Sequence, residues 1–157
     1  MVRLAREADD PELELLARRF RVAAFAERGD FLELNREVSA FERVVKSLNQ
    51  PISAWYVPLW RAMRAHMQAR HDEALRLLAE AESIGVDQAG SENAYMLVFS
   101  LKWPLLHELG RAGELGAVVD DMQARYPEIS ATQIIGNLHD CGEDARCWEG
   151  DTSTAPQ

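Results

Sequence analysis

The 157-residue chain has only two cysteines, Cys141 and Cys147, both near its C-terminal end, so the framework of a small disulfide-held secreted fold is excluded. It also lacks a long apolar run. The most hydrophobic stretch, AYMLVFSL from Ala94 to Leu101, is stopped by Lys102, far short of the roughly 20 residues a membrane-spanning helix needs. The opening MVRLAREADDPELELL turns acidic where a secretory signal would be apolar, so a cytoplasmic location is expected. Cations are in the minority, 17 Lys and Arg against 26 Asp and Glu for a net charge of −9. They are spread along the sequence instead of gathered, which argues against direct nucleic-acid binding and against an anionic membrane surface. A phosphate-cradling G-x-x-x-x-G-K-[ST] run is missing, and so is any Ser-His-Asp or Cys-His motif with a recognisable elbow. The acidic groups Asp9-Asp10, Glu12 with Glu14, and Asp120-Asp121 read as helix starts and solvated faces. No enzymatic activity and no cofactor is expected.

What the sequence does contain is helical period. Hydrophobic residues make up 47% and charged residues 27%, ordinary for one globular core, and apolar positions recur at a spacing of three to four with no strict alternation. The fold class is therefore all-α. The clearest stripe, Phe31, Leu34, Val38, Phe41, Val45 and Leu48, lies on one helix. Punctuation divides the rest. Asp10-Pro11 opens a helix over residues 11 to 28, and Gly29-Asp30 separates it from a second that ends near Pro51. Ser53 starts a third to about Arg70, and His71 a fourth to Gly85. Ser91 or Asn93 opens a fifth, Gly110 to Gly113 breaks it, and a sixth reaches Tyr126-Pro127. Ser130 caps a short seventh that fades at Cys141-Gly142. Pro58 and Pro104 fall inside these spans, where each kinks its helix unless the helix begins later than drawn.

The breaks recur. Aligning AERGDFLELN, QARHDEALRLL and ELGRAGELGAVV makes Leu32, Ala74 and Leu115 equivalent, 42 and 41 residues apart, with a weaker echo at Ala145 in CGEDARCWEG. In the middle unit Ala62, Ala74 and Ala81, with Leu78, match the small and large positions of a tetratricopeptide (TPR) repeat, and Pro127 matches that family's closing proline in the third unit. In the first unit the alignment puts Phe20 and Leu32 at small positions, and only Ser39 fits; in the third, Trp103, Leu115 and Met122 stand there. Small residues at these places let helices approach backbone to backbone. The chain thus resembles a TPR-like region. The resemblance implies a right-handed α-solenoid of antiparallel helix pairs over residues 1–148, about three repeats and a truncated fourth, followed by a disordered tail at 149–157. The segment from residue 26 to 78 is also similar to the C-terminal repeat regions of large actinobacterial ATPase- or cyclase-type transcriptional regulators. That likeness implies a non-catalytic protein–protein interaction module serving transcription or signalling. The truncated repeat would leave an apolar edge suited to a homodimer or to a missing domain.

The resemblance also implies a groove lined by the first helix of each unit. It places Tyr56, Leu59, Met63, His66 and Met67 there from the middle unit. The third unit supplies Leu97, Ser100, Pro104, His107 and Glu108, and the first Glu14, Ala17, Arg21, Ala24 and Phe25. Such a groove would take a protein or peptide partner, or a small apolar effector; the alternative is ordinary core packing or a face meeting a second copy. His66 and His107 fall one repeat apart and could pair, but two histidines do not make a metal site. The run His139, Cys141, Cys147 lacks paired C-x-x-C spacing, so no metal is expected.

Overall fold

The computed structural model describes residues 1–48 and 51–127. Every regular element among them is helical: α1 (Val2–Glu7), α2 (Pro11–Glu27), α3 (Phe31–Leu48), a 3-10 turn (Pro51–Ser53), α4 (Tyr56–His66), α5 (His71–Glu82), a π turn (Ser83–Gln88), α6 (Glu92–Glu108) and α7 (Ala112–Arg125). No helix among the described residues is long and apolar enough to cross a membrane. The expected seventh helix, the echo at Ala145, the cysteines, the apolar edge and the tail lie outside the described residues. Two compact units divide the chain, Met1 to Val98 and a second from Phe99.

The helices start and stop for visible reasons. Asp10 accepts the Leu13 amide at 2.9 Å with Pro11 at the first helical position, Asp30 accepts the Glu33 amide at 3.2 Å, and the Ser91 hydroxyl accepts the Ala94 amide at 3.2 Å. Four turns share one backbone design. Asp9, Gly29, Ala69 and Gly110 take left-handed φ values of 52°, 68°, 56° and 65°. In each, the next residue's amide reaches back five positions: Asp10 to the carbonyl of Ala5, Asp30 to Phe25, Arg70 to Ala65 and Arg111 to Leu106, all at 2.9–3.0 Å. This closure ends one helix and fixes where the next begins.

The turns place the first pair's register two residues later than its hydrophobic pattern suggests. Counting from Gly29, Ala69 and Gly110, the equivalents of Ala74 and Leu115 is Leu34, and all three are buried, whereas Leu32 is 63% exposed. By the same count Val22, not Phe20, corresponds to Ala62 and Trp103; Val22 is buried and Phe20 is 62% exposed. Leu32 and Phe20 are therefore not core positions. Pro58 sits in the first turn of α4, which begins at Tyr56 and not at Ser53, so it breaks no bond there. Pro104 does lie inside α6, where it has no amide hydrogen to contribute.

In the first unit α2 packs on α3 and α4 on α5. Between α2 and α3 the seam holds Val22, Leu34, Val38 and Phe41, all buried, together with a charged network. Arg18, 4% exposed, donates to Glu14 at 2.6 and 2.9 Å and also to Glu37. Arg6 reaches Glu14 at 3.0 Å and Arg21 reaches Glu37 at 3.2 Å. Glu14 is thus no solvated helix-start residue, as its sequence context suggests; it ties α1 to α2 through Arg6 and holds the Arg18 that reaches Glu37 of α3. Burial opposes its ionisation, yet the hydrogen bonds from Arg18 and Arg6 outweigh that and hold its carboxyl below the usual range. The α4–α5 seam is instead made of Ala62, Ala65, Ala74 and Ala81, each at most 1% exposed, with Leu78. After α5 the π turn brings Gly85 against Trp55 and Ala94 so closely that a β-carbon there would lie 2.8 Å from Trp55 Cγ and 2.4 Å from Ala94 Cβ. In the second unit Phe99, Trp103, Leu105, Leu106, Leu115 and Met122 are buried.

Candidate functional site

Four aromatic residues of the first unit, Phe41, Trp55, Tyr56 and Trp60, cluster where α3 meets the start of α4. The rings of Trp55 and Tyr56 stack at 3.7 Å, Tyr56 lies 5.3 Å from Trp60, and Phe41 meets Trp60 edge-on at 4.9 Å. Tyr56 does two things at once. Its ring is buried in this cluster, while its hydroxyl accepts from Asn93 Nδ2 at 3.0 Å and its face carries the Arg19 guanidinium at 4.3 Å. Burial pushes the phenol above its ordinary pKa although Arg19 and Asn93 pull the other way, so the hydroxyl stays protonated.

Beside that ring is an open hollow of about 390 Å³. Leu15, Leu16 and Arg19 of α2 form one wall, Ile52 and Ser53 of the 3-10 turn another, and Ser91 and Asn93 close it, with Trp55 and Tyr56 between. The 3-10 turn is held to Trp55 by the indole N–H, which donates to the Ile52 carbonyl at 2.9 Å. Leu16 and Ile52 on the walls are 41% and 61% exposed, and Leu13 and Phe20 continue an exposed apolar stripe along α2.

Of the residues the groove reading selects, Tyr56 alone lines this hollow. Leu59 is buried in the core, Met63 and His66 are half-buried, and Met67 is exposed. His66 has the His71 ring as an edge-on neighbour at 6.0 Å. Arg21 bonds Glu37 of α3, and its guanidinium lies 5.5 Å from the Phe25 ring one turn further along α2, so these two are brought together by the helix period. Ser100, His107 and Glu108 belong to the second unit, where all three are exposed and His107 stacks on Trp103 at 5.4 Å. Among the described residues no group of three or more His, Cys, Asp or Glu could hold a metal ion; His139, Cys141 and Cys147 lie outside them.

Leu16, Arg19, Ile52 and Asn93 escape the sequence reading. The first two follow from the turn-set register: the equivalents of Tyr56 and Leu59, counted from Gly29 and Ala69, are Leu16 and Arg19, not Glu14 and Ala17. Ile52 and Asn93 carry no comparable signal. A second concavity, of about 720 Å³, lies among α3, α4 and α5 and gathers Arg61, Arg64, Arg70 and Arg76. The cations are therefore not uniformly scattered, because a helix hairpin folds two short arginine spacings onto one face. No family model, curated protein or solved structure matches the chain.

Proposed function

We propose that this chain is a non-catalytic protein–protein interaction module, arranged as a TPR-like solenoid of helix pairs and serving a bacterial transcriptional or signalling regulator in the cytoplasm. The observation that carries the reading is the hollow at Tyr56: a rigid aromatic floor, two exposed aliphatic walls and one arginine held over the ring. Leu16 and Ile52 offer a partner exposed apolar area, the buried rings of Trp55 and Tyr56 hold Arg19 in place beside them, and Arg is among the residue types that dominate binding hot spots. Recurrence of one turn design at Gly29, Ala69 and Gly110 supports the repeat reading. The partner's contact is an apolar side chain seated between Leu16 and Ile52 with its backbone near Arg19 and Asn93.

A second reading, a small apolar effector in the same hollow, is favoured by its volume of about 390 Å³, which falls in the range of ligand pockets. The experiment that separates them uses the full chain and a Leu16→Glu, Ile52→Glu double variant. Quantitative affinity capture from the native host is expected to recover one protein with the unaltered chain and to lose it with the variant. Native mass spectrometry that instead finds a retained small molecule, absent from the variant, decides for the effector. Equal capture by both forms, with no retained ligand, defeats both.

A further inference from the structure

Exposed apolar area is concentrated on one side of the first unit. Of the eight large apolar side chains exposed among the described residues, six, Met1, Leu4, Leu13, Leu16, Phe20 and Ile52, belong to α1 with its N-cap, to α2, or to the 3-10 turn beside them. Leu13, Leu16 and Phe20 are spaced three and four residues apart, so they form one exposed stripe along α2. Glu14, Arg18 and Arg21 point away from it, into the network with Glu37.

Two charges flank the stripe on a single edge. Glu12 and Arg19 are seven residues apart, two helical turns, so they stand in line on the side of the stripe that faces the hollow at Tyr56. Neither has an ion-pair partner among the described residues. The Arg19 guanidinium lies over the Tyr56 ring at 4.3 Å, which fixes its position and leaves its N–H donors without a carboxylate.

An unpaired acid and an unpaired base on one edge of an apolar stripe make a self-complementary surface. A half-turn about an axis passing between Leu13 and Leu16 brings the same edge of two α2 helices together, antiparallel. Each Glu12 then meets the other copy's Arg19, and each Leu13 the other copy's Leu16. Other arrangements lose this match. A parallel pair sets like charges side by side, and an antiparallel pair centred nearer Phe20 sets Arg19 beside its own symmetry mate. Beyond Phe20 the same face carries only Ala23, Ala24 and Glu27, so overlap of the N-terminal halves buries the larger side chains. The −9 charge of each copy opposes association only weakly at physiological ionic strength, where charges beyond about 8 Å are largely screened.

We propose that the exposed stripe of α2 docks the same stripe of a second copy of this chain, antiparallel, with Leu13 and Leu16 at the two-fold axis and paired Glu12–Arg19 contacts on either side of it. The inference goes beyond the hollow at Tyr56, which shares Glu12, Leu16 and Arg19 with this surface but has Ile52 as a wall of its own.

Sedimentation velocity of the full chain over a concentration series is the test. A monomer–dimer equilibrium is expected, and Leu16→Glu should abolish the dimer. Glu12→Arg and Arg19→Glu should each weaken it about tenfold, because symmetry turns two attractive contacts repulsive at once. An equimolar mixture of those two single variants should regain the affinity of the unaltered chain, since every acid again faces a base in the mixed pair; a variant that had failed to fold could not be rescued this way. Ile52→Glu should leave the dimer unchanged, so failure of the dimer and failure of the hollow are told apart. A chain still monomeric at about 1 mM, a dimer that survives Leu16→Glu, or a mixture that associates no better than either single variant would overturn the proposal.

Discussion

The two helix pairs of the first unit are built alike at their turns and oppositely in their seams. Between α2 and α3 the space is wide enough for Phe41 and for a buried arginine held by two glutamates; between α4 and α5 alanines close the gap. Phe41 and Ala81 are equivalent positions by the turn count, so one backbone plan accepts a large or a small residue provided its neighbours adjust. The charged seam gives directional bonds and the alanine seam close approach. Each should fail in its own way.

The largest expected effect is at Arg18. Arg18→Ala leaves Glu14 and Glu37 buried without their shared partner and should cost about 3–5 kcal/mol, read from the urea midpoint. On the close-packed side, Gly85→Ala forces a β-carbon into Trp55 and Ala94 and should cost about 1–3 kcal/mol by the same measurement, with altered near-ultraviolet circular dichroism from the displaced indole. Acid sharpens the contrast. Glu14 has a folded pKa below its unfolded one, so its contribution is present above the ordinary carboxylate range and is lost as pH falls through the folded value. Urea titrations at descending pH should show that loss in the unaltered chain and a shallower one in Glu14→Gln. The smallest effects lie at the turns: Gly29→Ala should destabilise by about 1 kcal/mol, because a side chain at positive φ is strained. Ala69→Gly should relieve such strain and gain up to about 1 kcal/mol in thermal unfolding.

Those turns also explain how far the sequence could be read. Asp10-Pro11, Gly29-Asp30, Ser91 and Gly110 mark real helix ends because each residue type suits its backbone position, and the all-helical class follows from period alone. Ala69 hides its turn, since alanine carries no mark of a left-handed conformation, and aligning apolar residues without that landmark slips the first unit by two positions. That slip brings Arg21 and Phe25 into the groove reading and passes over Leu16 and Arg19. Helix α1 is six residues long and held by Arg6 on Glu14, a tertiary contact that local pattern does not show. The arginine groove was equally hidden, because its members are separated along the chain and converge only when α4 and α5 form a hairpin.

The central claim is that Leu16, placed beside Tyr56 by the turn-set register, belongs to the surface a partner touches. A photo-reactive benzoylphenylalanine at Leu16, compared in living cells with one at Leu32, which is exposed but no part of the hollow, tests it directly. A discrete cross-linked product at position 16 and none at position 32 is the expected result; equal products at both, or a product at 32 alone, would contradict it.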